Sequence, residues 1–244
     1  MVPYFFQRDL PGMTGTFILD EDVSRHCIQV LRMTNGAALR LTNGQGHLAE
    51  AEIVAAHKKH CSVSILSIAK ISRPAHRRFS LAIAFTKSKD RNEWLLEKLT
   101  ETGIQDIYPI ITEHSERAKI NRERYEKVMI SALIQSQQAI LPVLHPVSKL
   151  SDFLKITDTI NAGQKFVAHC IDSSAEKRSF LSRLSLEQSC LMLIGPEGDF
   201  STNEVRQCLQ SGIIPVHLGE NRLRTETAGL YTCMVYNAFQ DAHL

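Results

Sequence analysis

The chain has 244 residues, of which 43% are hydrophobic and 22% charged, with a formal net charge of +2. This length supports one large domain or two smaller ones with real cores, and the composition excludes a disordered or collagen-like chain. No apolar run approaches the ~20 residues of a membrane helix.

The opening MVPYFFQRDLPG has neither a basic segment nor a long apolar one, so no signal peptide and a cytoplasmic location are expected. None of the six cysteines falls in a C-x-x-C pair. Reduced, mostly buried thiols are therefore expected in place of disulfides or a metal site. The charge is uneven. Residues 1–78 hold ten Lys and Arg against six Asp and Glu, and five of the ten histidines, whereas residues 79–244 are net acidic. A basic N-terminal third is compatible with a nucleic-acid footprint and equally with ordinary surface variation.

In chain order, residues 1–70 read as β. AALRLTNGQGHLAEAEIVAA alternates around Asn43-Gly44, a hairpin signal, and CSVSILSIAKI is a further strand. Together they predict a small barrel. The G-x-G-x-x-A spacing from Gly44 to Ala49 is not a dinucleotide site, because no helix opens there. SRPAHRR is the candidate linker, giving boundaries of 1–72, 73–78 and 79–244. Beyond it FSLAIAFT reads as a buried strand, followed by a helix from Asp90, with Glu93 as capping partner, to Gly103. IYPIIT is a strand, about Asn121 to Ala139 a helix, and FVAHC and LMLIG further buried strands. Strands alternating with helices predict an α/β domain with a largely parallel sheet.

Two loops carry the candidate chemistry. In IGPEGDFSTNEV a strand ends at Ile194, a glycine loop follows, and Ser201 with Glu204 form a capping box, with Phe200 and Val205 as its hydrophobic staple. Gly195 and Gly198 would let backbone approach a ligand at the strand's carboxyl end; a plain turn reads the same way. In LGENRLRTETAGLYT, Thr225 is the expected N-cap of the last helix, with Arg222 and Arg224 just before it. Two cations beside a positive helix end oppose the dipole. That placement makes sense as an anion receptor for a phosphate or carboxylate, or as surface arginines paired with a carboxylate such as Glu220.

GPEGDFS followed by LGENRLRTETA resembles the paired signature of the ribosomal RNA small subunit methyltransferase E family. HCIQVLRMTNG (26–36), KSKDRNEWLLEKLTETGIQDIYPIITEHS (87–115), the Gln135-Ser136 pair and Pro142 are similar to its other blocks. The chain departs from the family's usual pattern at four places. Tyr4-Phe5-Phe6 replaces an early arginine. His114 stands in the usual ERS, Ile134 to Gln138 replace EQSGR, and Asp199 follows Gly198 where a glycine is usual.

The resemblance implies a C-terminal SPOUT α/β domain with a trefoil knot and an N-terminal PUA-like β-barrel. It implies transfer of a methyl group from S-adenosylmethionine to N3 of uridine 1498 in 16S rRNA of the small ribosomal subunit, by a homodimer. By the same likeness the cofactor residues would be His169, Ile171, Ile194, Gly195, Pro196, Glu197, Gly198, Leu218, Gly219, Leu223, Thr225 and Ala228. Arg224, Arg222 and Glu226 would be catalytic, with Glu197 an alternative base. Arg32, Arg73, Arg77 and Arg78 would contact RNA, through the barrel and the linker. The rival readings are a ribose 2′-O-methyltransferase of the same fold and a non-enzymatic RNA-binding protein.

Overall fold

The computed structural model describes residues 2–116, 119–160, 162–170 and 177–242. The chain divides into two compact units, Met1–Ser72 with Ile130–Leu141, and Arg73–Met129 with Pro142–Leu244. Segment 73–78, expected as a linker, belongs to the second unit, where Ala75–Arg77 form a short 3-10 turn.

The first unit contains β1 (Tyr4–Phe6), β2 (Gly15–Ile18), α1 (Glu21–Arg25), β3 (Ala38–Thr42), β4 (His47–Ala55) and β5 (Ser62–Lys70). They form a five-stranded sheet in the order β1-β3-β4-β5-β2, antiparallel except for the β1–β3 pair. Period-2 alternation decides which face is buried: Ala49, Ala51 and Ile53 enter the core while Glu50 and Glu52 point out. The Asn43-Gly44 hairpin joins β3 to β4. Gly46 sits at φ +90°, and a Cβ there would lie 2.2 Å from the Ile71 carbonyl, so only glycine fits. The residues after it run straight into β4, in keeping with a turn and not a nucleotide loop. Residues 130–141 join this unit through Tyr4, whose hydroxyl donates to the Gln138 carbonyl at 2.8 Å.

The second unit contains β6 (Phe79–Ile83), α2 (Lys89–Glu101), β7 (Asp106–Ile111), the start of α3 (Arg122–Gln135), β8 (Val143–Leu144), β9 (Ser148–Lys149) and α4 (Leu150–Ile156). It continues with β10 (Gln164–Ala168), β11 (Arg178–Ser179), α5 (Phe180–Arg183), β12 (Cys190–Ile194), α6 (Thr202–Gln210), β13 (Ile214–His217) and α7 (Thr225–Asp241). The sheet is parallel throughout, in the order β11-β13-β10-β12-β6-β7-β8, with β9 beside β7. Central strands β6 and β12 are buried along their whole length, as apolar strands covered on both faces must be. Ala82 and Ala84 pack with Phe153 of α4 and Val205 of α6. Leu81 and Ile83 face the other way, toward Gly229 of α7 and Leu95 of α2.

Three expected helix ends shift, each for a local reason. Ser88, not Asp90, caps α2, its hydroxyl accepting from the Arg91 amide at 3.4 Å. Asn92 is already fixed in the first turn by paired bonds with the Thr86 backbone, at 3.0 and 2.9 Å. Helix α3 ends at Gln135, not Ala139, because Gln137 turns left-handed at φ +54°. Arg224, not Thr225, is the N-cap of α7. Five of the six cysteines are buried thiols, and burial pushes those of Cys27 and Cys208 up to about 12. Among the described residues no helix is long and apolar enough to cross a membrane.

Candidate active site

Sheet register decides where the site lies. Strands β13, β10 and β12 are parallel neighbours, and Ala168 pairs with both Ile194 and Val216. Their carboxyl ends therefore stop level, and the loops that follow emerge side by side. Such an edge is where open α/β sheets bind ligands. A cavity of about 560 Å³ opens there.

Most of the expected cofactor residues meet in its wall: His169, Ile194, Gly195, Pro196, Glu197, Leu218, Gly219, Leu223, Thr225 and Ala228, together with Arg222 and Arg224. Ile171 lies outside the described residues. Gly198 is not in the wall; a Cβ there would meet the Cβ of His114 at 3.0 Å. Gly195 is in the wall, yet its missing Cβ makes room for Phe200, 3.1 Å away. Gly219 differs from both. It holds φ +121°, with no atom within 4 Å of a Cβ, so backbone conformation alone demands glycine there.

The N-terminus of α7 is tied to the glycine loop. The Thr225 hydroxyl, buried, donates to the Gly195 carbonyl at 3.1 Å. This use of the hydroxyl explains why Thr225 does not cap. The N-cap Arg224 makes no side-chain bond to the first turn. Among the described residues neither Arg222 nor Arg224 has an ion-pair partner, Glu220 included. The two exposed guanidinium groups stand in the cavity wall without a carboxylate partner among the described residues. Glu226 points elsewhere. It is 6% exposed and absent from the cavity wall, and its Oε1 faces Nε of Arg91 on α2 at 3.6 Å. Its Oε2 is buried without a hydrogen-bond partner among the described residues.

The glycine loop is held from outside as well. Ser201 and Glu204 form the expected capping box of α6, and Glu204 also accepts from the Glu113 amide at 2.8 Å. Nδ1 of His114 donates to the carbonyls of Gly198 and Asp199, both at 3.0 Å. Sequence reasoning missed Asp199, Lys177 and His217 as cavity residues, and took in Cys170, Glu220 and Asn221 only as members of loops expected to hold the cofactor; all six are in the wall. Only Asp199 carried a signal, as an acidic residue in a tight loop.

The expected RNA contacts divide. Arg32 is exposed at φ +53°. The other three are already engaged within the second unit. Arg73 donates to the Gly103 carbonyl, and burial lowers its guanidinium below the ordinary value. Arg77 donates to the Gln240 carbonyl at 3.2 Å, and Arg78 pairs with buried Asp106 at 2.6 Å. Asp106 also receives His145 at 2.9 Å.

Residues 73–237 match the RNA methyltransferase domain family, and residues 19–66 match the RNA methyltransferase PUA domain. The ribosomal RNA small subunit methyltransferase E of Rickettsia conorii is 30% identical over 82% of this chain and 80% of its own. The chain belongs to the ribosomal RNA small subunit methyltransferase E family. It is accordingly a methyltransferase with a PUA-like domain. The Bacillus subtilis member is 26% identical over 88% of this chain and 87% of its own. Among solved structures, a probable rRNA-methyltransferase from Porphyromonas gingivalis superposes with a TM-score of 0.90 at 39% identity over the whole of both chains. A methyltransferase from Legionella pneumophila, determined with bound S-adenosylmethionine, superposes with a TM-score of 0.82 at 28% identity over 98% of each.

Proposed function

We propose that this enzyme transfers a methyl group from S-adenosylmethionine to N3 of uridine 1498 in 16S rRNA of the small ribosomal subunit. The observation that carries the reading is the cavity at three level strand ends, with two arginines in its wall at the start of α7 that have no ion-pair partner among the described residues. Its volume lies within the ~300–1,000 Å³ of small-molecule sites. Its chemistry fits the cofactor. Ile194, Leu218, Leu223 and Ala228 supply apolar wall for an adenine ring, while Glu197, Glu220 and the arginines supply partners for ribose hydroxyls, an ammonium and a carboxylate. The Legionella relative binds the same cofactor.

When bound, the cofactor supplies an electrophilic methyl group on a sulfonium, and no metal is needed. The chain's task is to align uracil N3 with that methyl and to manage charge. Uracil N3 must lose its proton. Glu197 is exposed in the cavity wall and is better placed than buried Glu226 to accept it. Arg222 and Arg224 stabilise the negative charge that grows on the uracil carbonyl oxygens.

The reading extends to the trefoil knot and to a homodimer. Helix α7 packs against β6 and β12, although β13, which precedes it, lies beyond β10. Such a return across the sheet is what a knotted C-terminus requires. Tyr231 and Met234 on α7 are 40% and 53% exposed, and Trp94 on the adjoining α2 is 41% exposed, an apolar strip suited to a two-fold contact. A monomeric mass in dilute solution with full activity would contradict the dimer.

The deciding experiment incubates the enzyme with unmodified small subunits and labelled cofactor, then maps the methylated nucleosides by mass spectrometry. 3-Methyluridine at position 1498 is expected. A 2′-O-methyl nucleoside would establish the ribose reading instead, and no methylation together with no cofactor binding would leave an RNA-binding protein.

A further inference from the structure

We infer that Asp199 is a positioning residue for the cofactor, its carboxylate latching the loop after β12 to the end of β10. The inference rests on the cofactor reading above.

Asp199 holds φ +63°, in the left-handed region where glycine sits without strain and Asp or Asn is the tolerated exception. The family pattern usually carries glycine at this point. In this chain the residue at this point lies in the left-handed region and carries a carboxylate. Its Oδ2 accepts from the Cys170 amide at 2.6 Å, and its Oδ1 accepts from the Phe200 amide at 2.8 Å. Both are charge-assisted bonds, stronger than neutral ones. One of them spans two cavity walls, since Cys170 and Asp199 both line it. The carboxylate therefore sets the separation of the loop after β12 from the end of β10 before any ligand arrives. Preorganisation of this kind raises affinity because the ordering cost is already met.

The segment after β7 carries a second departure from the family pattern. His114 stands where arginine is usual, and its Nδ1 must be the donor, because both of its partners are carbonyl oxygens, those of Gly198 and Asp199. A histidine braces the loop backbone from outside while an aspartate ties it across the cavity. Thr225 fastens the third side at Gly195. Among the described residues no other carboxylate in the wall holds two loops together in this way. Glu197 and Glu220 are exposed side chains there.

The test compares Asp199→Gly and Asp199→Asn with the wild-type protein by calorimetric titration of S-adenosylmethionine, beside melting curves and amide hydrogen exchange. Glycine keeps the backbone conformation and removes the latch, so its dissociation constant should rise by about tenfold, the scale of one charge-assisted hydrogen bond. Asparagine retains one acceptor and should fall between the two. The Cys170 amide should exchange faster in Asp199→Gly than in the wild type. Wild-type affinity in Asp199→Gly would overturn the latch. So would unchanged exchange of the Cys170 amide in Asp199→Gly, because the loop would then be held without the carboxylate. If the wild-type protein itself binds no S-adenosylmethionine, the cofactor reading fails; exchange at Cys170 then still decides the latch, and unchanged exchange refutes it.

Discussion

Replacing Arg224 with alanine separates a role in the reaction from a role in the fold. The Arg224 backbone starts α7: its carbonyl accepts from the Ala228 amide at 2.8 Å, and that bond survives the substitution. The side chain makes no capping bond, and no ion pair among the described residues. What alanine removes is a positive charge beside the positive end of the helix dipole, an unfavourable contact of about 0.3–1 kcal/mol. At about 2–4 °C per kcal/mol for a chain of this size, the melting temperature should stay level or rise by up to about 4 °C. Methyl transfer should move the other way, falling at least about tenfold, or ~1.4 kcal/mol of transition-state stabilisation. Arg224→Lys should recover only part of this, because an ammonium cannot reproduce a two-pronged guanidinium contact. Single-turnover methylation of small subunits at saturating cofactor, run beside a melting curve, reads both effects. A variant that melts earlier and still methylates at the wild-type rate would refute the argument.

Asp106→Asn should cost about 2 kcal/mol at neutral pH, less than the ~3–5 of a fully buried broken pair because Arg78 is 43% exposed. Burial pushes the Asp106 carboxyl up, but the hydrogen bonds from His145 and Arg78 outweigh it and hold the group below its ordinary 3.8. Its stabilisation is thus complete above that pH and is lost as the pH falls through the lower folded-state value. Urea midpoints across the acid range should drop in the wild type and flatten in the variant, and parallel curves would contradict this. Thr225→Val leaves the buried Gly195 carbonyl without its donor and should cost about 1–2 kcal/mol, read as a lower melting temperature. Gly219→Ala has room for its methyl but not the backbone freedom, so it should destabilise by about 1–3 kcal/mol; an unchanged melting temperature would show that the loop relaxes.

Local chemistry made some of the fold legible and left the rest hidden. The capping box of Ser201 and Glu204 lies within four residues, and the structure has it as read. The buried strands β6, β10 and β12 followed from unbroken apolar runs. What failed was settled by partners far along the chain. Thr225 looks like an N-cap until its hydroxyl is claimed by Gly195, thirty residues earlier. The helix read as running to Ala139 stops at Gln135, and the Gln138 carbonyl beyond its end serves Tyr4 in the first unit. The arginines of SRPAHRR look like a phosphate-binding run, but buried Asp106 and two backbone carbonyls engage them. Periodicity and capping rules see a window of a few residues and cannot report such claims.

The site follows from a division of labour between sheet and loops. Register alone brings the ends of β10, β12 and β13 level, and it depends on apolar residues that carry no chemistry. The chemistry sits in the loops, where the chain accepts conformations it avoids elsewhere: Gly219 at φ +121° and Asp199 at φ +63°. Both lie in the cavity wall, as do the two arginines that oppose the α7 dipole. Each feature is unfavourable to the isolated fold. Strain, and charge without an ion-pair partner among the described residues, gathered at one edge of a well-packed sheet make sense together if an anionic or developing negative group completes them. The sequence left those arginines open between an anion receptor and surface ion pairs, because the partner of a charge lies outside the few residues that capping rules read.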